Sequence, residues 1–276
     1  MRAAVLLGER RDLMNFKEKY GSWALVAGAS EGMGAEFARQ LAARGLNLVL
    51  VARRADVLDR VRKDLLELGV QVRTIAVDLA DRDALTRVIE ETQSLEIGLL
   101  VYNAAYSPSG PFLEQSLTDN MRTIEVNVRG PLGFAHHFGR QMASRKRGGI
   151  VLLSSLTAFQ GSPYLTSYGA TKAFNLAFAE GLWFELQSSR VDVLAVCAGA
   201  TTTPNFLRAA PKGAPGMLPA MAVVSNALDA LGRRPMTTAG FFNALTSLFM
   251  RRVLTRQMAV KLMGSQTRKL QLPPES

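Results

Sequence analysis

The chain has 276 residues, 48% of them hydrophobic, and a formal net charge of +10. That length and apolar share fit one large domain with an ample core. A single cysteine, Cys197, excludes an intrachain disulfide. It lies in an apolar run and reads as a small buried hydrophobe, so a reducing, cytoplasmic setting is the default. The two histidines, His136 and His137, are sequence neighbours; on a helix they would point about 100° apart, so no metal site is expected. Arg2 is followed by a short apolar run and then Glu9, Arg10 and Arg11, which is not a secretory signal. The strongest candidate for a membrane span, 235–250, has 16 uncharged residues, against the roughly 20 required. The charge is unevenly placed. Residues 205–272 contain ten basic residues and one acid, Asp229, so nearly all of the excess positive charge sits there. No nucleic-acid partner is read from this pattern.

In chain order, residues 1–21 form an N-terminal extension without clear periodicity, and Met14 is a second candidate start. Ser22–Ala27 reads as a first strand. A glycine-rich turn (28–34) and a helix over 35–45, stopped by Gly45, follow it. A second strand (46–54) leads into an amphipathic helix ending before Gly69. A third strand spans 70–79, a capped helix 81–93 and a fourth strand 97–105. A long helical region over 112–145 is expected to kink at Gly130-Pro131. The run Ile150–Leu153 is a strand buried on both faces and ends in Ser154 and Ser155. A turn containing Gly161 and Pro163 precedes a helix that carries Tyr168 and Lys172 and runs to about Ser188. The sixth strand, 191–204, has a polar exit. This alternation predicts an α/β fold: a single Rossmann-type, doubly wound parallel sheet with helices on both faces. Beyond Pro204 the pattern loosens: 204–219 reads as a mobile loop, 223–232 as a short helix, and 240–264 as an apolar segment studded with arginines. We therefore divide the chain into the extension (1–21), a dinucleotide-binding and catalytic core (22–204), and a lid with a basic, apolar C-terminal segment of the same domain (205–276).

Three groups of residues carry chemistry. Gly28, Gly32 and Gly34 follow a strand and open a helix. Glycines there permit a tight turn and bring backbone N–H groups close to a pyrophosphate. Tyr168 and Lys172, four apart on a helix, share one face. A phenol titrates near ~10, and a neighbouring ammonium favours the phenolate. At the end of the second strand stand Arg53 and Arg54, with Ala52 where a carboxylate would bind ribose hydroxyls. An arginine there can pair bidentately with a 2′-phosphate, which favours NADP(H).

Together these pieces resemble the short-chain dehydrogenase/reductase family over residues 22–204. The family's Thr-Gly-x-x-x-Gly-x-Gly appears as Ala27-Gly28-Ala29-Ser30-Glu31-Gly32-Met33-Gly34, and its Asn-Ala-Gly as Asn103-Ala104-Ala105. Asp78 matches the acid at the adenine ring and Asn127 a helical active-site Asn. Ser155 and Tyr168 have the family's spacing, and Ala198-Gly199 and Thr203 stand where the family has Pro-Gly and a nicotinamide-binding Thr. The resemblance implies a cofactor cradle of Gly28, Ser30, Glu31, Gly32, Met33, Gly34, Arg53, Arg54, Asp78, Leu79, Asn103, Ala104, Ala105, Tyr168, Lys172, Gly199, Thr201 and Thr203. It implies catalysis by Tyr168 as general acid, with Ser155 positioning the substrate oxygen. Lys172 would lower the tyrosine pKa and bind the nicotinamide ribose, and Asn127 would hold a water for reprotonation. Ala27, Ala105 and Ala198 depart from the pattern but remove no catalytic group.

The activity so implied is NADPH-dependent reduction of a carbonyl to an alcohol. Phe112, Phe159, Tyr164, Phe206, Leu207 and Met217 favour a lipophilic ketone: a 3-oxoacyl chain, a steroid-like ring system or a polyketide. The alternatives are a non-catalytic NADP-binding regulator and a membrane-surface lipid-binding protein on the same fold. Retention of Asn127, Ser155, Tyr168 and Lys172 argues against the regulator. The basic C-terminus suggests peripheral contact with an anionic membrane or an acyl carrier. The resemblance further suggests a homodimer or homotetramer through the helices over 112–145 and 168–188.

Overall fold

Strands buried on both faces need helices above and below them, and the alternation read from the sequence supplies both. In the computed structural model, which describes residues 16–210, 213–214 and 216–271, the first six strands are β1 (Trp23–Ala27), β2 (Asn47–Ala52), β3 (Val72–Ala76), β4 (Ile97–Tyr102), β5 (Gly148–Ser155) and β6 (Val191–Ala198). Between them lie α1 (Gly32–Ala43), α2 (Ala55–Leu66), α3 (Ala84–Thr92), α4 (Leu117–Ile124), α5 (Gly130–Arg145) and α6 (Thr166–Glu185). Beyond β6 come β7 (Thr201–Thr202), α7 (Pro204–Ala209), β8 (Leu218–Pro219), α8 (Ala220–Ala230), β9 (Met236–Thr237), α9 (Phe241–Arg252) and α10 (Arg256–Gln271). The main sheet has the order β3-β2-β1-β4-β5-β6-β9, with every neighbour parallel. β7 and β8 pair separately. The expected doubly wound fold is therefore present. The order reverses beside β1, so the strand ends of β1, β4 and β5 flank the crevice where such sheets bind ligands.

The core forms on both faces of this sheet. Phe37, Leu41, Leu50 and Leu58 fill one side, with Val224 and Leu228 of α8 packed among them. Phe134, Phe138 and Met142 of α5 fill the other, against Leu100, Tyr102 and Leu152. Each such large side chain contributes about 1.5–3 kcal/mol when fully buried. Edge strand β3 is mostly exposed, whereas β1, β4 and β5 are buried throughout.

Four sequence expectations change in detail. The helical region expected over 112–145 is a 3₁₀ turn (Phe112–Glu114), α4, a π-helical turn (Glu125–Arg129) and α5. The interruption thus lies just before Gly130-Pro131, where Tyr102 packs against it. The Tyr102 hydroxyl donates to Val126 O at 2.8 Å, and a Cβ on Gly130 would overlap that hydroxyl. Residues 16–20, expected to be irregular, are helical. Tyr20 is buried there, donating to Asp192 at 2.7 Å. The expected loop over 204–219 begins with α7, whose N-cap Thr203 accepts from Phe206 N at 3.2 Å. The apolar segment 240–264 is two helices, α9 and α10, broken at 253–255. Residues 1–15, including Met14, lie outside the described residues.

Candidate active site

The glycine loop is shaped by close approach. Gly28 turns the chain at φ +84°, and a Cβ there would lie 2.6 Å from Ala104 N. A Cβ on Gly34 would overlap Gly28 O and reach within 2.6 Å of Asn103 Nδ2. Only glycine lets α1 seat this closely on the ends of β1 and β4. Ala27 O accepts from both Asn103 N and Ala104 N at 2.9 Å, and Asn103 Nδ2 donates to Gly28 O at 2.9 Å. Backbone atoms and Asn103 therefore make the bridge from this loop to β4 despite the loss of a loop hydroxyl at Ala27. Glu31 at the N-cap of α1 makes no side-chain cap, and the first turn holds no acid. The first N–H groups of α1 thus remain free of a side-chain acceptor, an arrangement that fits a dinucleotide pyrophosphate.

Charged residues gather at the neighbouring strand ends. Arg54 lies 3.0 Å from one carboxylate oxygen of Glu31, and Arg208 on α7 lies 2.9 Å from the other. Burial alone would raise the Glu31 pKa, but hydrogen bonds from the two arginines outweigh it and hold the carboxyl below its ordinary value. Asp78 accepts from Ala80 N at 3.0 Å, is ion-paired with Arg122 of α4, and has Arg53 at 4.0 Å. Burial raises its pKa as well, and the Ala80 N–H and Arg122 more than reverse that. The end of the crevice expected to take the adenosine thus holds four arginines and two ionised acids. A Cβ on Gly32 would lie 3.0 Å from Thr203, so the residue that caps α7 rests on the glycine loop. Thr201 Oγ1 donates to Gly199 O at 3.0 Å, folding the exit of β6 beneath it.

The catalytic candidates meet where β5 ends. Ser155 Oγ caps the following 3₁₀ turn (Leu156–Phe159), accepting from Thr157 N at 3.2 Å. Its neighbour Ser154 donates to Lys172 O at 2.7 Å, tying α6 to the strand. Tyr168 and Lys172 lie one turn apart on α6, with the ammonium 5.5 Å from the phenol ring centroid. Lys172 is only 2% exposed and donates to Leu153 O at 2.7 Å. Burial pushes the Lys172 pKa down from 10.5 to about 8. Burial pushes the Tyr168 phenol up, and the adjacent Ser155 hydroxyl draws it partly back. The lowering of Tyr168 expected from Lys172 is not found; burial of the phenol outweighs the Ser155 hydrogen bond.

Asn127 lies on the π turn and is fully buried. Its carboxamide accepts from Tyr106 N at 2.8 Å and donates to Tyr106 O at 2.9 Å and to Thr171 at 3.0 Å. It therefore pins the segment after β4 to α6. Of the residues expected to line the substrate pocket, Phe206 and Leu207 ride on α7, while Phe159 lies under the Arg251 guanidinium, 4.6 Å from the ring centroid. Tyr164 O accepts from Gly110 N at 2.9 Å, bringing the two connecting loops together. Phe112 is 49% exposed. Sequence reasoning missed Tyr106, Arg122 and Arg208, whose partners Asn127, Asp78 and Glu31 are distant in the chain.

A family described as short chain dehydrogenase matches residues 22–212. A 7β-hydroxysteroid dehydrogenase of Clostridium sardiniense is 33% identical over 234 residues, covering 83% of this chain and 90% of that protein. A structure from work on 7β-hydroxysteroid dehydrogenase stereoselectivity superposes with a TM-score of 0.85 at 31% identity, covering 90% of this chain and 98% of that one. A short-chain dehydrogenase from Sphingobium yanoikuyae in complex with NADPH is similar with a TM-score of 0.73 at 32% identity, covering 79% and 86%.

Proposed function

The chain belongs to the short-chain dehydrogenase/reductase family, and from that premise we propose that it reduces a bulky lipophilic ketone to an alcohol, with Tyr168 as general acid. The observation that carries this reading is the gathering of Ser155, Tyr168 and Lys172 where β5 ends. As a member of this family the protein is an oxidoreductase acting on carbonyl or alcohol groups with NADP(H). When bound, NADPH supplies the hydride to the carbonyl carbon. The residues of the chain provide the rest. The raised pKa keeps Tyr168 protonated at neutral pH, the state a proton donor requires. Ser155, beside the phenol, donates to the same substrate oxygen and fixes its position. Lys172, with its pKa near 8, is still mostly cationic at pH 7 and stabilises the phenolate left behind. Positioned proton transfer of this kind contributes about 10²–10⁴-fold. Arg53 and Arg54 would receive the 2′-phosphate.

A steroid-like ring ketone is the first substrate class to examine, because the 7β-hydroxysteroid dehydrogenase relative matches most of the chain. A long 3-oxoacyl group is the second. The experiment is a panel of steroid, 3-oxoacyl and small water-soluble ketones followed by NADPH absorbance. Turnover of a bulky ketone supports the proposal. NADPH binding without turnover of any ketone would favour the regulator instead. We place the reaction in the cytoplasm; among the described residues no helix is long and apolar enough to cross a membrane. Leu113 and Leu117, 93% and 76% exposed, support assembly into a homodimer or homotetramer through the 112–145 face.

A further inference from the structure

Helix α9 is turned inside out. A surface helix normally buries its apolar stripe and presents its polar side to water. Here the buried residues of α9 are Asn243 and Ser247, at 5% and 8% exposure. Asn243 Nδ2 donates to Gly216 O and Ala239 O, both at 3.1 Å, fixing the polar side inward. Phe241, Phe242, Leu245, Leu248 and Phe249 are left 84%, 57%, 52%, 55% and 47% exposed. Val253 extends this strip past the helix end, and Met258 and Leu262 of α10 are exposed as well. A contiguous apolar strip of this kind on a soluble fold marks an interaction surface.

Charge identifies the occupant. Residues 230–271 contain eight basic residues and no acid. Arg252, Arg256 and Lys261 are exposed beside the strip. A second copy would bring the same positive face against it, whereas an anionic lipid surface supplies both apolar depth and opposite charge. Arginines at the end of such a helix can extend to lipid phosphates while the aromatic rings enter the acyl boundary. The position suits a lipophilic substrate. α9 and α10 cover the 156–164 connector between Ser155 and Tyr168. Arg251 stacks on Phe159, and Pro163 closes on Gly264, where a Cβ would lie 3.0 Å from it. We infer that the apolar strip of α9 and the basic residues beside it dock the protein peripherally on an anionic membrane, turning the catalytic connector toward the lipid from which the substrate comes. The docking stands on the surface itself; only the delivery of substrate rests on the proposed function.

The test is flotation of the full chain with phosphatidylcholine vesicles, with and without phosphatidylserine, at low and high salt. Three proteins are compared: the unmodified chain, Phe241→Ser with Leu245→Ser, and Arg252→Gln with Arg256→Gln. NADPH binding by fluorescence checks that each is folded; the substituted side chains are exposed. The expected result is binding to phosphatidylserine vesicles that weakens with salt, falls about fivefold per arginine removed, and is lost in the serine variant. Equal binding to both vesicle types, or none, overturns the inference. So does a change in sedimentation velocity of the serine variant without a change in vesicle binding, which would assign the strip to a second copy. Binding to an acidic acyl carrier but not to vesicles overturns it as well. Turnover of a water-soluble ketone without vesicles is scored separately, so the failure of docking and of the proposed reaction are told apart.

Discussion

Replacing Lys172 with methionine tests the electrostatics of the site without requiring a substrate. The folded chain holds this ammonium almost fully buried, with its pKa pushed from 10.5 to about 8 by desolvation. At ~1.4 kcal/mol per pH unit, a shift of that size is about 3 kcal/mol against the charged form. The sign follows from proton counting. Below pH 8 the lysine is protonated in both the folded and unfolded chain, and the whole penalty is present. Between about 8 and 10.5 the unfolded chain still binds the proton that the folded chain has released, so stability rises with pH. Above that window the penalty is gone. Methionine fills similar space and does not titrate, although it leaves Leu153 O without its donor, at a cost of about 1–3 kcal/mol that does not vary with pH. The difference in stability between the two proteins, from urea unfolding across this window, should therefore shift in favour of the unmodified chain by about 3 kcal/mol. Parallel curves for the two proteins would show that Lys172 is not held as a desolvated cation and would refute the reasoning. The same variant should bind NADPH more weakly.

Tyr168→Phe keeps the ring packing and removes the transferable proton, so turnover should fall about 10²–10⁴-fold while NADPH binding persists; steady-state kinetics with near-normal kcat would remove Tyr168 from the mechanism. Arg53→Ala should weaken NADPH by about 1.5–3 kcal/mol and leave NADH almost unchanged, and cofactor titration showing equal losses for both would count against a 2′-phosphate site. Gly34→Ala would force a Cβ into Gly28 O and should destabilise the fold by about 3 kcal/mol; an unchanged melting temperature would mean that α1 can move away from β1.

The sheet was legible because its signals are local. Apolar runs such as Ile150–Leu153 are too short for a helix and are bounded by turn residues, so they could only be buried strands. The misread elements share a different origin. The π turn at Glu125–Arg129 packs against Tyr102 of β4, whose hydroxyl holds Val126 O and fills the space beside Gly130, and helical periodicity carries no trace of such a partner. α7 hides in a Pro- and Ala-rich stretch because a Pro that breaks a helix interior is welcome at its first turn, where Thr203 caps it. Residues 16–20 look irregular because their buried residue, Tyr20, is held by Asp192, 172 positions further along the chain.

The same division runs through the candidate site. The glycines, Ser155 and the Tyr–Lys pair each lie within one short stretch of chain, so the resemblance of those stretches to the family exposes them. The electrostatics are set by what folding brings up to them. Arg208 and Arg122 belong to α7 and α4, yet they help hold the carboxyls of Glu31 and Asp78 below their ordinary pKa values. Arg54, read from sequence as free to meet a 2′-phosphate, is already held by Glu31 at 3.0 Å. A phosphate arriving there must therefore compete with a carboxylate that also holds the lid arginine. Because both arginines are about half exposed or more, each pair is worth only about 0–1 kcal/mol, well below a charge-assisted bond to phosphate. The bound cofactor should win that competition and draw Arg54 away, leaving Glu31 to Arg208 and so keeping α7 tied to the glycine loop.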